Sequence, residues 1–256
     1  AYFNTSFAFS FNSGRAALQV GLQALGLPKD SEVLVQAFSC VVIPNSIRFA
    51  GLKAVFVDIK KGSFSIDPAD LERKITPKSR AIIIQNLFGI PDDLEKISKI
   101  AKKHNLIIIE DCAQSLGTLY KNKKIGQFGT FSFFSFGRDK VISSVFGGIL
   151  LTNHQKLARE IKMLYDQLPL PDHFWIFRQL LHPIIFSLIV PTYFWFKVGK
   201  FSLGKFILFC LQKTSLLDFP VKESEKRGEK IPDYPKKLPN VLAVLALHQF
   251  LSLIHI

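Results

Sequence analysis

The chain has 256 residues, 48% of them hydrophobic and 21% charged, with 33 Lys+Arg against 20 Asp+Glu and a formal charge of +13. This composition excludes a disordered tail, a collagen and a small disulfide scaffold, and the length lets one large domain or two small ones bury a full core. The positive surplus points to an anionic partner: nucleic acid, an acidic membrane face or a phosphate-bearing substrate.

A strand-like stretch at 7–11 runs into Ser13-Gly14-Arg15 and a helical pattern over 14–25. Backbone N–H groups at such a helix start, together with the positive end of its dipole, form a phosphate site; an N-cap serine followed by a turn glycine fits the same residues. Further strands are predicted at 32–37, 53–58, 80–86, 106–110, 130–136 and 148–152, several of them apolar on successive residues. Helices are predicted between them at 41–49, 68–74, 92–104 and 154–165. This alternation predicts an α/β fold, a parallel or mixed sheet covered by helices, with its ligand at the carboxyl ends of the strands.

The strand at 106–110 leads into Glu110-Asp111-Cys112-Ala113-Gln114. An acid at a strand end meets a ligand cation, or else caps a helix or joins a salt bridge. The strand at 130–136 carries Ser135 and leads through Gly137-Arg138-Asp139 to Lys140. A partly desolvated lysine there acts as a nucleophile or base; a loop lysine in solvent is the alternative. The three separated cysteines, Cys40, Cys112 and Cys210, read as reduced thiols, and no metal-ligand spacing is expected among them.

Past 168 the pattern changes. Nine of the 25 Phe fall between 174 and 219, and the 18 residues between Arg178 and Lys197 carry no formal charge. A spanning helix needs about 20 apolar residues, and Pro183, Pro191 and His182 count against one here. Lys197, Lys200, Lys205 and Lys213 interleave with aromatics. The stretch 174–211 therefore lies peripherally in the headgroup zone of an anionic membrane surface, or packs as an apolar insertion against the domain or a partner subunit. The charged stretch 222–237, with Pro232 and Pro235, reads as an exposed connector, and 241–256 as an apolar helix that stops without a cap. No basic stripe accompanies a reading helix, so nucleic acid is not expected. Both ends read as those of a fragment.

A phosphate turn, a strand-end Asp with Gln three residues on, then Ser and Lys five apart, in this order, resemble the DegT/DnrJ/StrS family of pyridoxal-phosphate-dependent sugar aminotransferases. The resemblance covers 7–165 and resumes at 234–250, and it includes Phe56-Val57-Asp58-Ile59, Ile66-Asp67-Pro68, Ala101-Lys102-Lys103-His104 and Gly148-Ile149-Leu150-Leu151-Thr152-Asn153. It implies a fold-type-I aminotransferase large domain, with a mixed, mostly parallel sheet flanked by helices, over 1–167. An apolar, Phe-rich insertion over 168–230 and a return to the large domain over 231–256 follow, with the leading segment and the small C-terminal domain of the family missing.

The same resemblance implies roles. Lys140 bonds pyridoxal 5'-phosphate and shuttles a proton, Asp111 pairs with the pyridinium nitrogen, and Gln114 hydrogen-bonds the ring hydroxyl. Ser135 and the Gly14-Arg15 backbone cradle the phosphate; Arg15 stands where the family usually has Thr, exchanging a hydroxyl for an available cation. Cys40 occupies the place of an aromatic that stacks on the cofactor ring, leaving stacking to Cys40 itself or to Phe38. Lys237 matches a residue that reaches the phosphate from a second subunit, or is a solvated lysine. The implied function is transamination of a nucleotide-linked keto-sugar, with glutamate as the amino-acid donor, in surface polysaccharide or amino-sugar biosynthesis, by a cytoplasmic homodimer with shared active sites. The insertion and Cys40 motivate one alternative, a catalytically inactive protein of the same fold serving as a membrane-associated scaffold.

Overall fold

The computed structural model describes residues 2–254 apart from 196, 199, 200 and 215. Seven strands form one sheet: β1 (Phe7–Phe11), β2 (Glu32–Gln36), β3 (Lys53–Val57), β4 (Ser79–Gln85), β5 (Ile107–Asp111), β8 (Phe131–Ser135) and β9 (Gly148–Thr152). Two short strands, β6 (Leu119–Tyr120) and β7 (Lys123–Lys124), pair apart from it. The order across the sheet is β1-β9-β8-β5-β4-β2-β3. β3, β2, β4, β5 and β8 pair in parallel, and β9 runs antiparallel to both β8 and β1. The mixed, mostly parallel sheet expected from the alternation is thus present.

Helices cover both faces, which is why the central strands carry apolar residues in succession rather than alternately. Along β2 and β4, Val33, Val35, Ala81 and Ile83 join one core with α1 (Gly14–Ala24), α2 (Val42–Phe49) and α5 (Gln155–Asp166). Leu34, Ile82 and Ile84 join the other with α3 (Pro68–Lys74) and α4 (Leu94–Lys103). Local signals start these helices. The Ser13 hydroxyl accepts from Ala16 N–H, Asp67 from Ala69 N–H ahead of Pro68, and Asp93 from Lys96 N–H.

The insertion is helical: α6 (His173–Trp195), a small pair of strands, β10 (Lys197–Val198) and β11 (Phe201–Ser202), then α7 (Leu203–Lys213). α6 continues through Pro183 and Pro191, both at exposed positions. Its first turns pack Trp175 against Val145, Phe146, Leu238 and Leu242, the last of these on α9 (Asn240–Ile254). Arg178 pairs with Asp218, and Gln179 Nε2 donates to the same carboxylate at 2.8 Å. Phe196 and Lys200 of the Lys-punctuated stretch, and the last two residues of the predicted 241–256 helix, lie outside the described residues.

The connector expected to be exposed is instead bound to the domain. It contains the one-turn α8 (Glu223–Lys226), whose Glu225 side chain is buried, and Ile231 is buried too. Asn45 Nδ2 donates to the Glu225 carbonyl at 2.7 Å, and Asn12 Nδ2 to that of Asp233 at 2.7 Å. Its charges find partners there, Lys222 with Asp233 at 2.5 Å among them, so a polar composition did not require solvent.

Candidate active site

A cavity of about 460 Å³ opens at the carboxyl ends of the parallel strands. Gly14, Arg15, Cys40, Asp111, Gln114, Ser135 and Lys140 all line it. Residues spread over 126 positions of sequence therefore meet because β1–α1, β2–α2, β5 and β8 all end on the same rim.

At one end is the start of α1. The first N–H groups of a helix have no acceptor within it, which makes those of Gly14 and Arg15 donors toward the cavity. A Cβ on Gly14 would stand 2.9 Å from Ser135 Cβ, so only glycine lets α1 begin this close to the end of β8. Gly148 on β9 serves the same approach, since a Cβ there would lie 2.5 Å from Gly14 N.

The Arg15 side chain is not the available cation the sequence suggested. Its guanidinium pairs with Glu225, also donates to the Pro220 carbonyl, and sits 4.8 Å from the Tyr234 ring centroid. What it offers the cavity is its backbone.

Strand alternation separates the two carboxylates of β5. Glu110 accepts from the backbone N–H groups of Gly126, Phe128 and Gly129 at 2.9, 2.6 and 2.7 Å and so holds a loop. Asp111 lines the cavity, accepting from Ala113 N–H at 3.0 Å and from Gln85 Nε2 at 2.9 Å. Burial pushes its carboxyl up from the ordinary range, against the pull of those two donors and of the Lys140 charge. Gln85 stands opposite Asp111 in the register of β4 and β5. That pairing gave no sequence signal.

The Lys140 side chain is largely buried, and its Nζ donates to Asp139 Oδ2 at 2.8 Å. Burial works to raise the Asp139 carboxyl, but the lysine bond and charge outweigh it and hold it below its usual value. The sequence showed Asp139 only as a neighbour of Lys140. Gln114 Oε1 accepts from Phe88 N–H at 2.9 Å. Phe88 is left-handed at φ 56 and lines the cavity with Phe38; both rings contact Phe64, each at 5.2 Å. This aromatic group beside the exposed Cys40 was not anticipated beyond Phe38.

Lys237 lies away from this cavity. Its Nζ donates to the Asp166 carbonyl at 3.1 Å and rests 5.3 Å from the Tyr165 ring centroid. Arg138, Pro220 and Val221, which sequence reasoning passed over, complete the wall. Arg138 donates to the Asp218 carbonyl and lies 4.9 Å from the Phe146 ring centroid. Burial lowers its pKa to about 10. Among the described residues no cluster of metal-ligating side chains occurs.

The lining brings backbone N–H and hydroxyl donors at the start of α1 into one cavity with a buried carboxylate and an amine, a set able to meet a phosphate, a cationic ring and a carbonyl. Pyridoxal phosphate fits these residues. Residues 1–168 match the DegT/DnrJ/EryC1/StrS aminotransferase family. GDP-perosamine synthase of Escherichia coli O157:H7 is 38% identical over 164 residues, which are 64% of this chain and 43% of that protein. The X-ray structure of the aminotransferase from Psychrobacter cryohalolentis is similar at a TM-score of 0.63 and 32% identity, covering 66% of this chain and 43% of that one. NtdA of Bacillus subtilis, crystallised with bound cofactor PMP, gives 0.60 and 28% over 66% and 38% of the two chains. The chain spans less than half the length of the curated relatives it matches.

Proposed function

The chain belongs to the DegT/DnrJ/EryC1/StrS aminotransferase family, and from this we propose that it transaminates a nucleotide-linked keto-sugar, with glutamate as amino donor, in amino-sugar or surface polysaccharide biosynthesis. The observation that carries the reading is the meeting of the α1 start, Asp111 and Lys140 in one cavity.

When bound, pyridoxal phosphate supplies a carbonyl that bonds an amine and a ring that takes up the electron pair left as the substrate carbon loses its proton. The Gly14 and Arg15 N–H groups and Ser135 Oγ bind its phosphate. The Asp111 carboxylate holds a proton on the ring nitrogen, and its burial makes that charge pairing stronger than it would be in water. Phe88 N–H occupies Gln114 Oε1, which leaves the Gln114 amide nitrogen to donate to the ring hydroxyl. Lys140 Nζ would hold the cofactor through its carbonyl and, once the incoming substrate amine had displaced it from that bond, would carry the proton from and to the substrate carbon. Asp139 Oδ2 accepts from Nζ at 2.8 Å and so positions the amine at the cavity wall. Phe38 or Cys40 would cover the ring face, beside the aromatic group that Phe38 and Phe88 form with Phe64.

In a homodimer with shared sites, Lys237 serves the partner's cavity. The reduced cysteines fit a cytoplasmic enzyme, and the formal charge of +13 fits a substrate bearing a diphosphate. The test is absorption. Protein supplied with pyridoxal phosphate gains the visible band of a lysine-bound cofactor and forms an amino-sugar, seen by mass spectrometry, from a nucleotide-linked keto-sugar and glutamate. Lys140→Ala loses both. A band that survives Lys140→Ala overturns the assignment, and a wild type with the band but no sugar product overturns the substrate.

A further inference from the structure

The insertion has two unlike faces. On α6, Trp175, Gln179, His182 and Ile189 are buried, and Arg178 and Gln179 fasten the helix to Asp218. Phe174, Phe177, Ile184 and Leu188 are 65%, 56%, 59% and 69% exposed. At 3.6 residues per turn these four fall within an arc of about 80°, a continuous apolar stripe along the helix. α7 packs against α6 and adds Phe209, which is 59% exposed. Large apolar side chains grouped in this way mark an interaction surface rather than scattered exposure.

The charge of the segment decides among partners. From 173 to 217 the sequence holds Arg178, Lys197, Lys200, Lys205 and Lys213 and not one Asp or Glu. Arg178 pairs with Asp218, and Lys197, Lys200 and Lys213 follow it in the sequence, past the charge-free run and on through α7. Two copies of such a face repel each other, whereas an anionic surface is attracted and takes up the apolar stripe. The buried face holds α6 to the domain near Val145, Phe146 and Leu242, so the helix meets a bilayer along its side and not end-on.

We infer that the outer face of α6 and α7 docks on an anionic lipid leaflet, with Phe174, Phe177, Ile184 and Leu188 in the boundary between headgroups and acyl chains. The inference does not depend on the aminotransferase reading. It bears on that reading through Pro220 and Val221, which follow α7 closely and line the cavity wall, so the docked segment and the cavity share one stretch of chain.

Vesicle flotation of the whole chain tests it. The protein floats with phosphatidylcholine vesicles containing phosphatidylglycerol, less as salt rises, and far less with phosphatidylcholine alone. Phe177→Glu/Leu188→Glu abolishes flotation, and Lys197→Gln/Lys200→Gln/Lys213→Gln lowers partitioning on the order of tenfold or more. Circular dichroism and thermal unfolding check that each variant folds; the triple Gln variant, which alters charge and leaves every apolar side chain in place, carries the test if the double Glu variant does not. Absence of flotation, or equal flotation of wild type and the folded variants, overturns the inference. So does self-association in sedimentation that Phe177→Glu/Leu188→Glu removes while no vesicle binding is seen, which assigns the face to a second copy.

Discussion

The guanidinium of Arg15, in the first turn of the helix that opens the cavity, forms an ion pair with Glu225, 210 residues further along the chain. Both side chains are largely buried, and the Tyr234 ring lies against the same guanidinium. The pair fastens the connector to the end of the cavity where a phosphate is expected. Removing one partner strands a buried charge, so Glu225→Ala lowers stability by about 3–5 kcal/mol in urea unfolding. The double variant Arg15→Ala/Glu225→Ala loses less than the sum of the two single losses; simple additivity would show that the charges are not coupled.

Asp111 separates stability from activity. Its carboxyl is raised by burial, so the folded protein without cofactor binds this proton more readily than the unfolded chain does. The stability it contributes is complete below the unfolded carboxyl's pKa and is lost as pH rises through the higher folded value. Asp111→Asn therefore leaves the cofactor-free protein at least as stable at neutral pH. The buried Gln85 Oε1, which has no partner among the described residues, accepts from the new amide once Gln85 turns over. Transamination falls by about 10²–10³-fold, the scale for losing one preorganised charge, and unchanged turnover would remove Asp111 from the cofactor site.

Gly148 tests the helix start by crowding its backbone, without removing a polar side chain. A Cβ there would lie 2.5 Å from both Gly14 N and Ser13 C, and these are backbone atoms that cannot swing aside. Gly148→Ala costs about 1–3 kcal/mol through overpacking. It also weakens pyridoxal phosphate binding, measured by titrating the visible band. A folded variant with wild-type cofactor affinity would argue against a phosphate at the start of α1.

His182 gives the insertion a pH signature. It is 7% exposed, stacks on Phe186 at 4.4 Å between centroids, and buries its Nε2 without a partner among the described residues. Burial, followed by the Arg138 charge, lowers its pKa to about 4. An unfolded His titrates near 6.5, so between these values the unfolded chain binds the extra proton. Stability is complete above that window and declines as pH falls through it, by up to about 3 kcal/mol. His182→Phe flattens the fall in urea midpoints between pH 7 and 4; an unaltered slope would mean that His182 is not the titrating group.

Much of the catalytic half was legible in the sequence because its signals are local. The apolar runs at 80–86 and 106–110, the Ser13 cap and the Ser135-to-Lys140 spacing each lie within one turn or one strand. The pairs that complete the site do not. Gln85 meets Asp111 through the register of two strands, and Phe64 reaches Phe38 and Phe88 through a loop packed across the rim. The charged stretch at 222–237 was read as solvated because composition counts charges without showing their partners.

The sequence by itself determined the class of fold and the expected carboxyl-end position of the site, since period, capping and spacing act over a few residues; the roles toward a phosphate, a ring nitrogen and a carbonyl were implied by the family resemblance. Only the tertiary structure decided that Glu110 is spent on the 126–129 loop, that Arg15 is committed to Glu225, and which face of α6 is left exposed. Those outcomes depend on what each side chain meets after the chain has closed on itself, and desolvation and ion pairing take their sign from that partner.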